Sequence, residues 1–168
     1  MADLVRINLG CADLPIEGFI NIDKSTSPHI RADLSADILD LSTHFAPESV
    51  DEICFFHGLE HIYPQDIDKA VEHWKSLLKP GGIFAVVTPD FRVLSEHYLS
   101  GDISIEKLEH DFVYSYIQED WHKSIWDQER QFDLFARHGF KDIRPIDRLN
   151  DPRLAYSDSL QVGTEGHK

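Results

Sequence analysis

The sequence has few cysteines and no long apolar run. Its two cysteines, Cys11 and Cys54, are far apart and flanked by apolar residues. This pattern predicts reduced, buried thiols and a cytoplasmic protein without disulfides. No segment approaches the roughly 18 apolar residues of a membrane span. The first ten residues also lack the basic and apolar regions of a secretory signal. We therefore expect neither membrane insertion nor export.

Positive charge is also scarce. The 168 residues include 16 Lys and Arg against 30 Asp and Glu, which gives a formal net charge of -14. Binding to nucleic acid depends on basic side chains that displace counterions from phosphates. Binding to an anionic membrane surface has a similar requirement. The composition therefore disfavours both partners, while 42% hydrophobic and 27% charged residues are typical of one globular domain.

Short β-branched and aromatic runs, separated by turn residues, predict five strands in the first half of the chain. Continuous apolar runs of this kind suit strands that are covered on both faces, as in a parallel sheet. The runs are Leu4–Leu9, Phe19–Ile22, a segment within Ile30–Ile38, Val50–Phe56 and Ile83–Thr88.

Two helices are predicted between and after these strands. The first is capped by Asp66 and ended by Pro80-Gly81-Gly82, and its apolar positions have helical spacing. These positions are Ile67, Ala70, Val71, Trp74, Leu77 and Leu78. The second helix is predicted over Asp127–His138, with Gly139 as a left-handed C-cap and an apolar face of Phe132, Phe135 and Ala136.

The last predicted strands differ from the others. Pro145 removes a ladder donor from Ile143–Ile146, so we expect this strand at a sheet edge, with Ser159–Val162 as an antiparallel last strand. The strand and helix order indicates a doubly wound α/β domain. However, only about nine residues separate Leu9 from Phe19, whereas a parallel crossover normally needs about a dozen or more. The first crossover helices are therefore expected to be trimmed.

Ligands of open α/β sheets bind beyond the carboxyl ends of the strands. Asp23 ends the second predicted strand, where a carboxylate can accept both hydroxyls of a ribose or can simply end the strand as a turn residue. The loop after the first strand lacks the second and third glycines of G-x-G-x-x-G. A nucleoside ligand without phosphates fits these features better than a dinucleotide.

Several ordered motifs resemble a known family. INLGCADLPIEGFINID, ADILDLS, APESVDEICFFHGLEHI and LLKPGGIFAVVTPDF occur in the order seen in class I S-adenosylmethionine-dependent methyltransferases. They are most similar to a compact subgroup that reads LNLGCG, GWINVD, HVLEH, LKPGG and VPD. The later DWHKSIWDQERQFDLFARHGFKDIRPI resembles the C-terminal half of that subgroup, so the likeness extends from about residue 5 to 146. It implies an α/β fold with a doubly wound, mostly parallel Rossmann-like sheet.

The resemblance implies S-adenosylmethionine as cofactor and eight residues that bind it. The loop after the first strand would approach the methionine part, and the acid ending the second strand would bind the ribose hydroxyls. The two residues after the third strand would contact adenine, and two residues after the fourth strand would line the other side of the cofactor. These residues are Gly10, Cys11, Ala12, Asp23, Asp37, Ile38, His57 and Leu59.

Two features of this assignment depart from the family or stay open. Ala12 stands where the family usually has glycine, which places a methyl group at the closest backbone approach. Asp33 competes with Asp37 for the adenine role because the end of the third strand is ambiguous. We favour Asp37 because of its spacing to the fourth strand.

Methyl transfer depends mainly on alignment of the acceptor, with a base where a hydroxyl or ammonium group loses a proton. Candidate bases are His61, Asp90 and His122, with Glu60 less favoured. Each also has a structural interpretation: Glu60 and His61 can order the turn after the fourth strand, and His122 can stabilise the insert. We expect no metal ligand.

The acceptor site is expected in an insert, residues 91–126, within a single domain over residues 1–168. Its aromatic side chains suit a pocket for a sugar or an aromatic small molecule, although ordinary core is the commoner use of such residues. They are Tyr98, Phe112, Tyr114, Tyr116, Trp121 and Trp126. The first strand begins almost at once, without the N-terminal helices usual in this fold. An open site is therefore expected, or one closed by the insert or by a second subunit in a homodimer.

Three functions follow from these patterns. The first is methylation of a small-molecule acceptor, and the family resemblance leans towards saccharide-linked ones. The second is a catalytically degenerate binding or assembly protein, because the first crossover is short and Ala12 replaces a glycine. The third and most remote is a zinc hydrolase, because His57-Gly58-Leu59-Glu60-His61 matches H-x-x-E-H. That motif needs a continuous helix, which a strand running into His57 opposes.

Overall fold

The computed structural model describes residues 4–114, 121–154 and 160–168. Within them, seven strands form one sheet in the order β3-β2-β1-β4-β5-β7-β6. The strands are β1 (Arg6–Leu9), β2 (Ile20–Asp23), β3 (Leu34–Ser35), β4 (Val50–Phe56), β5 (Leu78–Pro89), β6 (Lys141–Pro145) and β7 (Gln161–His167).

The sheet is parallel except at β7. Strands β3, β2, β1, β4 and β5 pair in parallel, whereas β7 pairs antiparallel with both β5 and β6. This arrangement confirms the mostly parallel sheet with an antiparallel last strand. Pro145 lies in the edge strand β6, as predicted, where its missing N–H costs no ladder bond. The predicted start of the last strand, Ser159, lies outside the described residues.

Among the described residues, four α-helices and one 3₁₀ helix accompany the sheet. They are a 3₁₀ helix (Leu59–His61), α1 (Ile67–Leu77), α2 (Phe91–Ser100), α3 (Ile105–Val113) and α4 (Gln128–Arg137). Asp66 stands at the N-cap of α1, but its side chain makes no capping hydrogen bond, so that part of the prediction is wrong. The backbone of Asp66 is helical, and an N-cap side chain bonds well only from an extended backbone.

The apolar face of α4 also differs from the prediction. Leu134 and Phe135 are fully buried, but Ala136 is exposed and Phe132 is only half-buried. A polar residue, Gln131, takes the remaining buried position because it bonds Thr88 and Thr164 on the neighbouring strands. Gly139 follows the helix at φ 70°, which confirms its left-handed position.

The main core lies between the sheet and two helices. Trp74 of α1 packs edge-on against Phe55 of β4, with ring centroids 4.9 Å apart. Phe135 of α4 stacks on Phe84 of β5 at 5.2 Å, and Phe140 joins them. Burial of large aromatic side chains gives the main favourable free energy of folding on this face of the sheet.

Loops cover the opposite face of the sheet. Residues 10–19 and 24–33 contain turns but no helix, which confirms the trimmed crossovers. Phe19 packs there against the smaller second core with Cys54, Ala85 and Val87. Both cysteines are buried and free, as predicted, and none of the described helices has the length and apolarity needed to cross a membrane.

A buried amide network holds the first loops without crossover helices. Asn21 donates from its backbone and side chain to Asp33, both at 2.9 Å. Its side-chain oxygen accepts from Asn8 and from the backbone N–H of Ile16. These hydrogen bonds lower the pKa of Asp33, which precedes β3 rather than ending it. Asp33 therefore has a clear structural role.

Ion pairs of Arg153 connect the segment between β6 and β7 to the loop-covered face of the sheet. The Arg153 guanidinium contacts Glu52 at 2.8 Å and Glu165 at 2.6 Å, and it also pairs with Asp151. Only 16% of the Arg153 side chain is exposed. Burial raises the pKa of Asp151 and Glu165, but the bonds from Arg153, with one from Arg144 to Glu165, outweigh burial and leave both pKa values below their usual range.

We expect Arg153→Met to lower the free energy of unfolding by about 3 kcal/mol, because it leaves partly buried carboxylates unpaired. Arg144→Met is the matched control, since Arg144 also pairs with Glu165 but is 60% exposed. It should cost less than about 1 kcal/mol. Denaturant titrations at pH 7 measure both values, and equal losses would contradict the assignment.

The same network predicts a pH dependence. Carboxylates with a folded-state pKa below the unfolded value stabilise the fold above that value, and the contribution is lost on acidification. The wild-type free energy of unfolding should therefore fall as the pH drops below about 4. The decrease should be smaller in Arg153→Met, as measured by denaturant titration from pH 6 to pH 3. An unchanged acid dependence in that variant would contradict this role.

Candidate active site

The carboxyl ends of β1, β2 and β4 meet at one edge of the sheet. Gly10 and Ala12 follow β1 at φ 60° and 46°, and His57 follows β4 at φ 54°. A left-handed backbone is costly for residues with a Cβ, and such positions cluster at functional sites. Ala12 therefore occupies a strained backbone conformation at a position where the family that the sequence resembles usually has glycine.

Asp23 ties two of these loops together. Its Oδ2 accepts from the backbone N–H of Ala12 at 3.0 Å, and its Oδ1 accepts from Ser25 at 2.8 Å. The residue is 9% exposed. Each carboxylate oxygen can accept two hydrogen bonds, so both retain capacity for a ligand hydroxyl. Asp23 thus ends the strand as a turn residue, and its carboxylate keeps capacity to accept from a ligand.

Cys11 lies beneath this loop, with its thiol buried. It is 3% exposed, and burial together with the nearby charges of Asp23 and Asp33 raises the pKa of its thiol to about 11. A protonated, buried thiol is a poor nucleophile. The contribution of Cys11 to the edge is therefore its backbone.

Asp37 and Ile38 follow β3, as the favoured assignment requires. The Asp37 carboxylate accepts from the backbone N–H of Leu39 at 3.0 Å and is exposed. The Ile38 carbonyl accepts from the indole N–H of Trp74 at 2.7 Å. This bond fixes the loop after β3 against the main core.

The turn after β4 is very tightly packed. A Cβ built on Gly58 would lie 1.9 Å from the ring of Phe55, so no other residue fits there without displacement of that ring. Leu59 is fully buried in the main core, so its side chain is not available to an external ligand. His57 has 24% of its side chain exposed and is the accessible member of this pair.

Glu60, His61 and His122 form a polar cluster beside that turn. The His61 and His122 ring centroids are 4.7 Å apart, and Glu60 is 2% exposed. Burial raises the pKa of Glu60, but the hydrogen bond and charge of His57, with the charges of His61 and His122, bring it below its usual value. Burial lowers the pKa of His122. The proximity of His122 to Glu60 and His61, which are distant from it in sequence, was not predicted.

Lys123 and Ser124 dock on the 3₁₀ helix through their backbone N–H groups. The Glu60 carbonyl accepts from the N–H of Lys123 at 2.7 Å and of Ser124 at 3.1 Å. The Lys123 ammonium donates to the His61 carbonyl at 3.0 Å. These bonds hold the end of the insert against the turn that follows β4.

Asp90, the third candidate base, is occupied as a helix cap. Its Oδ1 accepts from the backbone N–H of Arg92 at 3.0 Å and of Val93 at 3.3 Å, and the residue is 7% exposed. The fold thus brings together two candidate bases, His61 and His122, and gives Asp90 a separate structural task.

The aromatic residues of the insert divide between core and surface. Trp126 is buried in the main core, while Tyr98, Tyr114 and Trp121 are exposed. Tyr114 and Trp121 contact each other with ring centroids 5.4 Å apart. Phe112 packs on Phe91, and Tyr116 lies outside the described residues. Most of the predicted pocket residues with a described position therefore remain accessible.

Comparison with known proteins gives a consistent result. Residues 19–86 match the family model of the methyltransferase domain. The fold is that of a methyltransferase. A search of curated proteins finds no match. The family match covers less than half of the chain, and the solved structures share its fold.

Three solved structures illustrate the likeness in fold. An S-adenosylmethionine-dependent methyltransferase from Archaeoglobus fulgidus has 13% identity and a TM-score of 0.63, covering 98% of this chain and 86% of its own. A possible histamine N-methyltransferase from Thermotoga maritima has 16% identity and a TM-score of 0.61, with 100% and 84% covered. A putative methyltransferase from Haloferax volcanii, solved with a methyltransferase activator, has 17% identity and a TM-score of 0.58, with 98% and 82% covered.

We expect Ala12→Gly to release the left-handed strain after β1. The gain of about 1 kcal/mol should offset the entropy cost of glycine, so the free energy of unfolding should stay the same or rise. Ala46→Gly, at an exposed loop position without positive φ, should lower it by about 0.5–1 kcal/mol. Denaturant titration measures both variants, and an equal decrease would show that Ala12 stores no strain.

Proposed function

We propose that this chain transfers a methyl group from S-adenosylmethionine to a small-molecule acceptor. The convergence of the β1, β2 and β4 ends around Asp23 is the observation that carries the proposal. S-adenosylmethionine supplies an electrophilic methyl group on a sulfonium. The acidic charge of the chain favours a small acceptor over nucleic acid, and the family resemblance leans towards a saccharide-linked one.

The chain's own residues suit this cofactor. Asp23 retains acceptor capacity for the ribose hydroxyls, and its bond to Ala12 couples that contact to the loop that would meet the methionine part. Asp37 and the Ile38 backbone, fixed through Trp74, would meet adenine. Gly10, Cys11 and His57 would contribute along the same edge, with Leu59 beneath it in the core.

Catalysis is expected to depend mainly on positioning. The insert, residues 91–126, would form the acceptor side because its end is docked on the turn after β4. His61 and His122 would accept or relay a proton when the acceptor is a hydroxyl or an ammonium group. Asp90 would act chiefly by capping the start of α2.

A second candidate is a degenerate methyltransferase fold that serves in binding or assembly. The strained Ala12 and the engagement of both Asp23 oxygens by backbone donors favour it. Calorimetry separates the two candidates. Binding of S-adenosylmethionine and S-adenosylhomocysteine supports the methyltransferase, and no binding at millimolar cofactor would leave only the degenerate one.

We expect Asp23→Ala to weaken cofactor binding far more than Asp33→Ala. Asp23 lies at the carboxyl end of β2, whereas Asp33 supports Asn21 before β3. Asp33→Ala should instead lower the melting temperature. Calorimetric titration with S-adenosylhomocysteine, alongside thermal unfolding, tests both statements. Equal losses of affinity in variants that remain folded would show that the strand-end assignment is wrong.

Once an acceptor is known, single-turnover methyl transfer tests the candidate bases. His61→Ala and His122→Ala should slow transfer to a hydroxyl or ammonium acceptor by about 100-fold or more. Asp90→Asn should have a smaller effect, because an amide oxygen can still cap α2. Unchanged rates in all three variants would leave positioning alone as the source of catalysis.

A further inference from the structure

Glu60, His61 and His122 bring three potential metal ligands to one point. Each offers one donor atom, and these atoms all lie within 4.8 Å of one another. Two come from the 3₁₀ helix after β4, and the third comes from the far end of the insert. We propose that these residues bind one divalent transition-metal ion.

The Glu60 carboxylate is the first observation that points to a cation. The residue is 2% exposed, and its Oε1 lies 3.6 Å from Nδ1 of His57. Its Oε2 is buried and has no hydrogen-bond partner among the residues that the structure describes. A buried carboxylate oxygen without a donor is costly, and a bound cation would remove that cost.

The second observation is the orientation of His122. Its Nδ1 lies 3.0 Å from the backbone carbonyl of Asp111. A carbonyl oxygen can only accept, so Nδ1 carries the proton and Nε2 keeps a free lone pair. Metal-binding histidines are commonly oriented in this way, with the second ring nitrogen donating to a carbonyl or carboxylate.

The third observation is that the backbone assembles the cluster. Lys123 and Ser124 both donate to the Glu60 carbonyl, which places the adjacent His122 beside the 3₁₀ helix. Ser124 also donates its hydroxyl hydrogen to the Leu59 carbonyl at 3.3 Å. The three potential metal ligands are therefore held near one another by contacts that need no ion.

The donor set indicates the class of metal. Two imidazoles and one carboxylate suit Zn²⁺, Co²⁺, Fe²⁺ or Mn²⁺, whereas Ca²⁺ prefers oxygen ligands alone. This site differs from the zinc-protease interpretation of the H-x-x-E-H motif. His57 lies at φ 54° before the 3₁₀ helix, so His57 and His61 do not share one helical face. In the proposed site, His122 takes the place of His57, the first histidine of the motif. This proposal departs from the sequence-based expectation of no metal ligand.

The role of the ion rests on the proposed function. A three-ligand site leaves positions open for an oxygen of the acceptor, and a metal lowers the pKa of a hydroxyl that it binds. The hydroxyl proton passes to solvent, and the oxygen forms a bond to the methyl carbon. The carbon–sulfur bond breaks, and its electron pair stays on sulfur. The acceptor class is then a hydroxyl compound. With the ion bound, His61 and His122 would act on its proton through the metal, and without the ion they would accept or relay it as proposed above.

Cobalt binding tests the site without cofactor or acceptor. The chain, made without a histidine tag and treated with chelator, is titrated with Co²⁺ while the visible d–d absorption and the calorimetric heat are followed. One equivalent should bind. Glu60→Gln and His122→Ala should each weaken binding more than about tenfold, which equals about 1.4 kcal/mol. Glu60→Gln keeps the side-chain shape, and circular dichroism checks that each variant is folded.

His138→Ala is the matched control. His138 lies 2.9 Å from Asp68. These two residues form a histidine–carboxylate pair, and no third potential metal ligand joins them in the described part of the chain. Loss of His138 should leave Co²⁺ affinity and stoichiometry unchanged. No binding, or equal weakening in all three variants, would overturn the proposal. Because S-adenosylhomocysteine binding is measured separately, failure here leaves the proposed methyltransferase activity intact.

Discussion

The ring of Phe55 underlies the candidate active site. It lies against Gly58 so closely that a Cβ there would be 1.9 Å away, and a Cβ at Gly10 would be 3.4 Å from the same ring. One buried side chain thus supports both the loop after β1 and the turn after β4. The same ring also packs against Trp74 in the aromatic core. The geometry of the edge is therefore set by packing beneath it.

The trimmed crossovers leave the sheet with unequal faces. Helices α1 and α4 bury one face with aromatic residues, whereas loops cover the other. Loops bury less apolar area than helices, and polar bonds replace the missing contacts. The Asn21–Asp33 network holds the first loops, and Arg153 joins the β6–β7 connection to Glu52 and Glu165. On this face, polar interactions thus supplement a small apolar core.

Local patterns predicted the elements whose causes are local. Val50–Phe56 is a strand with the predicted bounds, and Pro145 lies on the edge strand because its ring removes a donor. The apolar face of α4 was partly wrong because Gln131 is buried by bonds to two other strands. Helical spacing carries no information about such partners.

The positions of the candidate site residues were predicted only where they follow from strand ends. Asp23 and Asp37 lie at the carboxyl edge because strand order places them there. The approach of His122 to Glu60 depends on backbone bonds between segments about sixty residues apart, which no short-range pattern contains. A histidine followed by Lys-Ser in a polar insert gives no signal of its own.

The bond from Trp74 to the Ile38 carbonyl has a thermodynamic consequence. It joins a surface loop at the proposed adenine side to a fully buried residue of the main core. Opening of that loop would leave a core indole N–H without its acceptor, so the free energy of opening includes the cost of that unmade bond. A ligand held by this loop would therefore protect amide hydrogens in β4, β5 and α1 from exchange, far from its own contacts.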